Sequence, residues 1–225
     1  EVREVPHVPV FQHAIGKWRP SWRGRIHGIA VAVTIPAGIV LTLVTPSGLP
    51  RIAVLIYVLS LLALFSTSAS YHLLTRSKRA QRTMRQLDHV MVYVLIAGTY
   101  TPVCLLALPR NVGVPFLITI WSAAALGITL KITWRAHKTS GAMYLIIGWA
   151  ALIILPWAYH RAGFTSLLLF ALGGIVYTVG AILFYLQRPQ LKPLVFGYHE
   201  VWHVFTVVAV ALQFAGVGVL IARVG

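Results

Sequence analysis

Seven stretches of about 20 or more residues, at 26–48, 52–75, 90–109, 111–130, 141–160, 163–187 and 198–222, run through this chain without Lys, Arg or Asp, and only the last contains a Glu. A helix needs about 20 residues to cross a hydrocarbon core about 30 Å thick. Each stretch is therefore long enough to span a bilayer. A chain with 58% hydrophobic and 10% charged residues also has too little polar surface to cover a water-soluble globule. The runs are continuous and do not alternate between apolar and polar residues, so they predict helices rather than barrel strands. The expected fold is all-α, a seven-transmembrane helix bundle in the cell membrane. The single Cys104 lies inside the third run and excludes an internal disulfide. No repeat period or cleavable signal pattern is visible. The expected organisation is a basic N-terminal segment, 1–25, followed by one membrane domain, 26–225.

Charge sets the expected orientation. A net charge of +15 would point to nucleic acid in a soluble protein, but here its distribution gives another meaning. From the N-terminus to the C-terminus, the segments outside the runs carry five, one, five, one, three, one, two and one Lys or Arg. The odd segments hold 15 and the even ones 4. By the positive-inside rule the N-terminus is cytoplasmic and the C-terminus is outside. The basic connection from Arg76 to Arg85 then reads as a topology signal and nothing more, or as a contact for anionic lipid headgroups, and no nucleic-acid partner is expected.

This topology gathers chemistry at one membrane face. His72 closes the second run, Asp88 precedes the third, and His199 and His203 open the last. Beyond residue 4 the only carboxylates are Asp88 and Glu200, each next to a histidine. His199 and His203, four residues apart, share a helix face. Ionisable groups at membrane depth are costly and mark functional sites. Three imidazoles with an open fourth position make a catalytic zinc site. Asp88 would then orient a water or accept its proton. Ser68, one helical turn before His72, would hydrogen-bond that water or a substrate carbonyl. His27, at the start of the first run, is on the cytoplasmic side, where two readings stay open: an interfacial residue, or one that reaches the site. His7, His13, His137 and His160 belong to tails, loops or the outer face.

The pattern Ser68-x-x-x-His72, then Leu87-Asp88-His89 followed by Ile96-Ala97-Gly98-Thr99-Tyr100-Thr101-Pro102, then Gly197-Tyr198-His199-Glu200-Val201-Trp202-His203, resembles the hemolysin III family. The resemblance runs from about His27 into the last run and includes Tyr144-Leu145-Ile146-Ile147-Gly148-Trp149. That family belongs with the progestin and adiponectin receptors and is more distantly similar to alkaline ceramidases. The resemblance implies a seven-helix fold with a cytoplasmic N-terminus. It also implies zinc on His72, His199 and His203, with Ser68 and Asp88 around the zinc-bound water. One departure is Gln213, where many bacterial relatives carry a histidine.

The residues support three functional readings. The first is a zinc-dependent hydrolase of an amide or ester bond in a membrane lipid, acting at the cytoplasmic interface. The second is an intramembrane metalloprotease, since His199-Glu200-x-x-His203 matches HExxH and makes Glu200 a general base. The third is non-enzymatic: a sensor or regulator of membrane homeostasis with structural zinc, or a cytolysin.

Overall fold

The computed structural model of the chain describes residues 20–133, 140–192 and 194–224. Most of the basic segment 1–25 lies outside the described residues, as do His7, His13 and His137. Among the described residues the chain is all-helical. The helices are α1 (Arg25–Val44), α2 (Leu49–Leu73), α3 (Lys78–Pro102), α4 (Arg110–Thr133), α5 (Ser140–Trp149), α6 (Ala151–Tyr185) and α7 (Tyr198–Val224). A π-helical turn, Val103–Ala107, follows Pro102 and prolongs α3.

Six helical segments among the described residues are long and apolar enough to cross a membrane. The fifth of them, Ala142–Tyr185, joins the fifth and sixth apolar runs in 44 residues. If straight it would be about 66 Å long, twice the hydrocarbon thickness. It is not straight. Gly163 breaks it with φ 74° and ψ 163°, a backbone conformation that side chains rarely adopt. Trp149 Nε1 donates to Thr178 Oγ1 at 3.0 Å, across 29 residues of sequence. In a continuous helix those residues would stand about 43 Å apart. The two arms therefore lie side by side, folded back at Gly163.

The third apolar run begins later than its helix. The basic connection expected from Arg76 to Arg85 is a loop only at its start, because α3 begins at Lys78. Ser77 caps it, accepting from the Ala80 backbone N–H at 3.1 Å. This places Asp88 in the third turn of α3, one turn beyond Arg85. Lys, Arg and Gln carry high helix propensity, so a helix can run past the hydrocarbon edge into the headgroup region.

Apolar residues line both the outside and the interior of the bundle. Ile29, Val33, Ile39, Val40 and Leu43 of α1 are exposed, as lipid-facing side chains should be. The interior holds Tyr57, Leu61, Phe65 and Tyr93, each at most 1% exposed, so the centre of the bundle is filled. Small residues let backbones approach. Gly98 of α3 faces Ser60 of α2, where an added Cβ would lie 2.6 Å from Ser60 Cβ and collide with its hydroxyl. Helix α1 packs on α2, α2 on α3 and α3 on α4, while the folded-back arms pack on α7, which returns to α1.

Gly98→Ala is accordingly expected to lower stability by about 1–3 kcal/mol through overpacking. Ser60→Gly in the same chain should recover part of that loss in detergent-solubilised thermal unfolding. Purely additive effects of the two substitutions would contradict the contact.

Candidate metal centre

The end of α2 and the start of α7 lie together because both reach the same end of the bundle. His72 sits one residue before α2 stops, and His199 and His203 occupy the first two turns of α7. His72 and His203 are buried and His199 is half-buried. Their rings meet edge-on or tilted, with centroids 5.0 Å apart for His72 and His199, 5.1 Å for His72 and His203, and 4.8 Å for His199 and His203. One ligand nitrogen from each lies within 4.8 Å of the others, a group that could hold a metal ion.

Two observations test the fit of an ion. His72 Nε2 and His199 Nε2 are 3.3 Å apart. Imidazole nitrogens held at about 2.05 Å by a tetrahedral ion are about 3.3 Å from one another, so this pair already has the required edge. His203 Nδ1 is buried with no hydrogen-bond partner. A buried imidazole nitrogen of this kind needs a partner, and an ion is one that could supply it. The donor set of three neutral imidazoles suits zinc, and also copper, iron or nickel.

The neighbouring polar residues divide into two groups. Ser68, 2% exposed, lies one turn before His72 on the same face of α2. The Asp88 carboxyl group of α3 approaches its side chain. Glu200 belongs elsewhere. It is fully buried, and its Oε1 accepts from Arg23 Nε at 2.7 Å. Its Oε2 accepts from the Gly197 backbone N–H at 2.8 Å. That second contact is one half of a capping box, in which an acidic side chain three residues into a helix reaches back to the N-cap. The HExxH match thus places its glutamate in a cap and an ion pair, outside the histidine group.

His27 does reach the histidine group: it is 3% exposed, and its ring stacks on His203 with centroids 4.0 Å apart and planes 7° from parallel. The cause is the entry to α1. Gly24 takes φ 85° and packs so closely on α2 that an added Cβ would lie 2.7 Å from His72 Cβ. Ser21 and Trp22 donate backbone hydrogen bonds to Leu194 and Val195, both at 3.3 Å. With Arg23 on Glu200, the segment before α1 is drawn across the end of the bundle. One sequence signal pointed this way: Glu200, a lone acid in an apolar run, needs a cation, and Arg23 stands at the matching end of another run.

Fold and site together define a multi-pass helical membrane protein with a histidine cluster at one end of its bundle. The chain belongs to the hemolysin III family, within the progestin and adiponectin receptor superfamily: the family model for haemolysin-III related proteins matches residues 16–214. It is 35% identical over 193 residues to the hemolysin-3 homolog of Bacillus subtilis (strain 168), covering 84% of this chain and 87% of that protein. Hemolysin-3 of Bacillus cereus is 34% identical over 193 residues, covering 84% and 85%. The heptahelical transmembrane protein ADIPOR2 of Oryza sativa subsp. japonica is 25% identical over 193 residues, covering 77% and 84%.

Removing Arg23 leaves a buried carboxylate unpaired, so Arg23→Met is expected to cost about 3 kcal/mol of stability. Glu200→Gln, which keeps an acceptor for the cap, should cost less and retain the metal content of the wild type. Elemental analysis beside thermal unfolding checks both. Loss of metal in Glu200→Gln would return this residue to the metal centre.

Proposed function

We propose that this protein is a zinc-dependent hydrolase of an amide or ester bond in a membrane lipid, built on seven membrane spans with its N-terminus in the cytoplasm. The observation that carries the reading is the convergence of His72, His199 and His203 at one end of the bundle, with Ser68 one turn before His72 on α2. The odd-segment excess of Lys and Arg supports a cytoplasmic location for that end, with the basic segment 1–25 leading into a single domain, 26–225. Seven spans follow if the two arms that meet at Gly163 cross the membrane separately, which their side-by-side packing supports.

In this reading His72, His199 and His203 hold the ion. A zinc ion, when bound, would supply Lewis acidity and lower the pKa of a water to about 7. Asp88 is the chain's own proton acceptor, since it is the carboxylate beside the cluster that is not committed to a cap. Ser68 orients the Asp88 carboxyl group that approaches it. The basic first turns of α3, with Lys78, Arg79, Arg82 and Arg85, attract anionic headgroups and hold a lipid's carbonyl linkages near the depth of the site. The protease reading gains no support from the placement of Glu200. The filled centre of the bundle gives none to a pore.

Purified protein incubated with a broad lipid panel and followed by mass spectrometry is expected to release a fatty acid in a zinc-dependent manner. Asp88→Asn should lower that rate by about 10²–10⁴-fold, the usual contribution of a positioned proton acceptor, while keeping its zinc. Absence of any zinc-dependent product from the wild type would sink the hydrolase reading.

A further inference from the structure

The entry to α1 brings a fourth imidazole to the cluster. Arg23 and His27 are four residues apart, and Glu200 and His203 are three apart, so the ion pair and the ring stack form two successive rungs between the starts of α1 and α7. On its other side the His27 ring meets Phe65, with centroids 5.1 Å apart and planes inclined at 55°. Among the described residues neither His27 ring nitrogen has a hydrogen-bond partner. An imidazole buried inside a membrane protein with both nitrogens unsatisfied is costly, and calls for a partner.

That partner is not the ion itself. Imidazole lone pairs lie in the ring plane, and the planes of His27 and His203 are nearly parallel at a centroid spacing of 4.0 Å, so their lone pairs do not converge on one point. His27 is accordingly outside the group whose ligand atoms approach within 4.8 Å. A neutral imidazole has one N–H and one lone pair. Whichever nitrogen carries the hydrogen, the other has a lone pair to offer.

We propose that His27 is a ligand-binding residue, whose free nitrogen accepts a hydrogen bond from an N–H or O–H of the molecule held at the three-histidine centre. This rests on reading that centre as a metal site. It makes the α1 entry part of the binding site, with the Arg23–Glu200 pair setting the register of His27 against α7. The site then favours ligands with a hydrogen-bond donor next to the group that reaches the ion.

Cobalt(II) reports on such a site through its visible absorption. Two probes coordinate through the same pair of oxygens: acetohydroxamic acid, which carries an N–H, and N-methylacetohydroxamic acid, which does not. Cobalt-loaded wild type should bind the first about tenfold more tightly, the effect of one well-placed hydrogen bond to a buried group. His27→Phe keeps a ring to stack on His203. It should retain the cobalt spectrum and bind the two probes within about twofold of each other. His27→Gln, which keeps an acceptor, should restore part of the preference. A preference that survives in His27→Phe, or is absent from the wild type, would overturn the proposal. So would loss of cobalt from His27→Phe, which would make His27 a ligand of the ion. Failure of the wild type to take up cobalt would overturn the three-histidine reading itself, and is seen before either probe is added.

Discussion

Hydrocarbon offers no water, so every polar group inside this bundle must find its partner within the protein. Most do so locally. Thr42, Thr99, Thr101 and Thr206 each donate to the carbonyl four residues earlier in their own helix. These hydroxyls are silent: they satisfy themselves and ask nothing of neighbouring helices. The clustered histidines do otherwise, for His72 Nε2 and His199 Nε2 approach one another across the boundary between α2 and α7. Their nitrogens must be met across helix boundaries, and three of those rings meet one another at the joined ends of α2 and α7. A metal ion is the partner that satisfies several imidazoles at once.

Glu200 shows how the same constraint disciplines a charge. A lone carboxylate in an apolar helix is tolerable when both oxygens are occupied, and here a backbone N–H takes one and a guanidinium the other. Each contact also has a structural consequence. The cap starts α7 at Tyr198, which fixes where His199 and His203 point. The ion pair pulls the segment before α1 onto α7, which is how His27 reaches His203. One side chain thus sets the position of three of the four imidazoles.

Much of this was legible in the sequence, and the remainder was hidden for identifiable reasons. Charge-free runs marked the helices because lipid excludes charge so strongly. The spacing of His199 and His203 marked a shared face, and the charge asymmetry suggested that His72 belongs beside it. The start of α3 was obscured because charged residues past the hydrocarbon edge continue a helix as readily as they form a loop. The fold-back of α6 rests on the backbone angles of one glycine, Gly163, among 18 in the chain. The burial of His27 depends on a left-handed Gly24 and on hydrogen bonds to Leu194 and Val195, far away in sequence. HExxH is a motif of letters, and letters do not say whether its acid acts on a water or caps a helix.

The central claim is that three imidazoles, from α2 and α7, hold one ion. X-ray absorption at the zinc edge of the purified, zinc-loaded protein tests it most directly. The account predicts a four-coordinate ion with nitrogen and oxygen ligands at about 2.0–2.1 Å, and outer-shell scattering that fits three imidazoles. A sulfur shell at about 2.3 Å, which would implicate Cys104, or a hydrated ion without imidazole scattering, would contradict it.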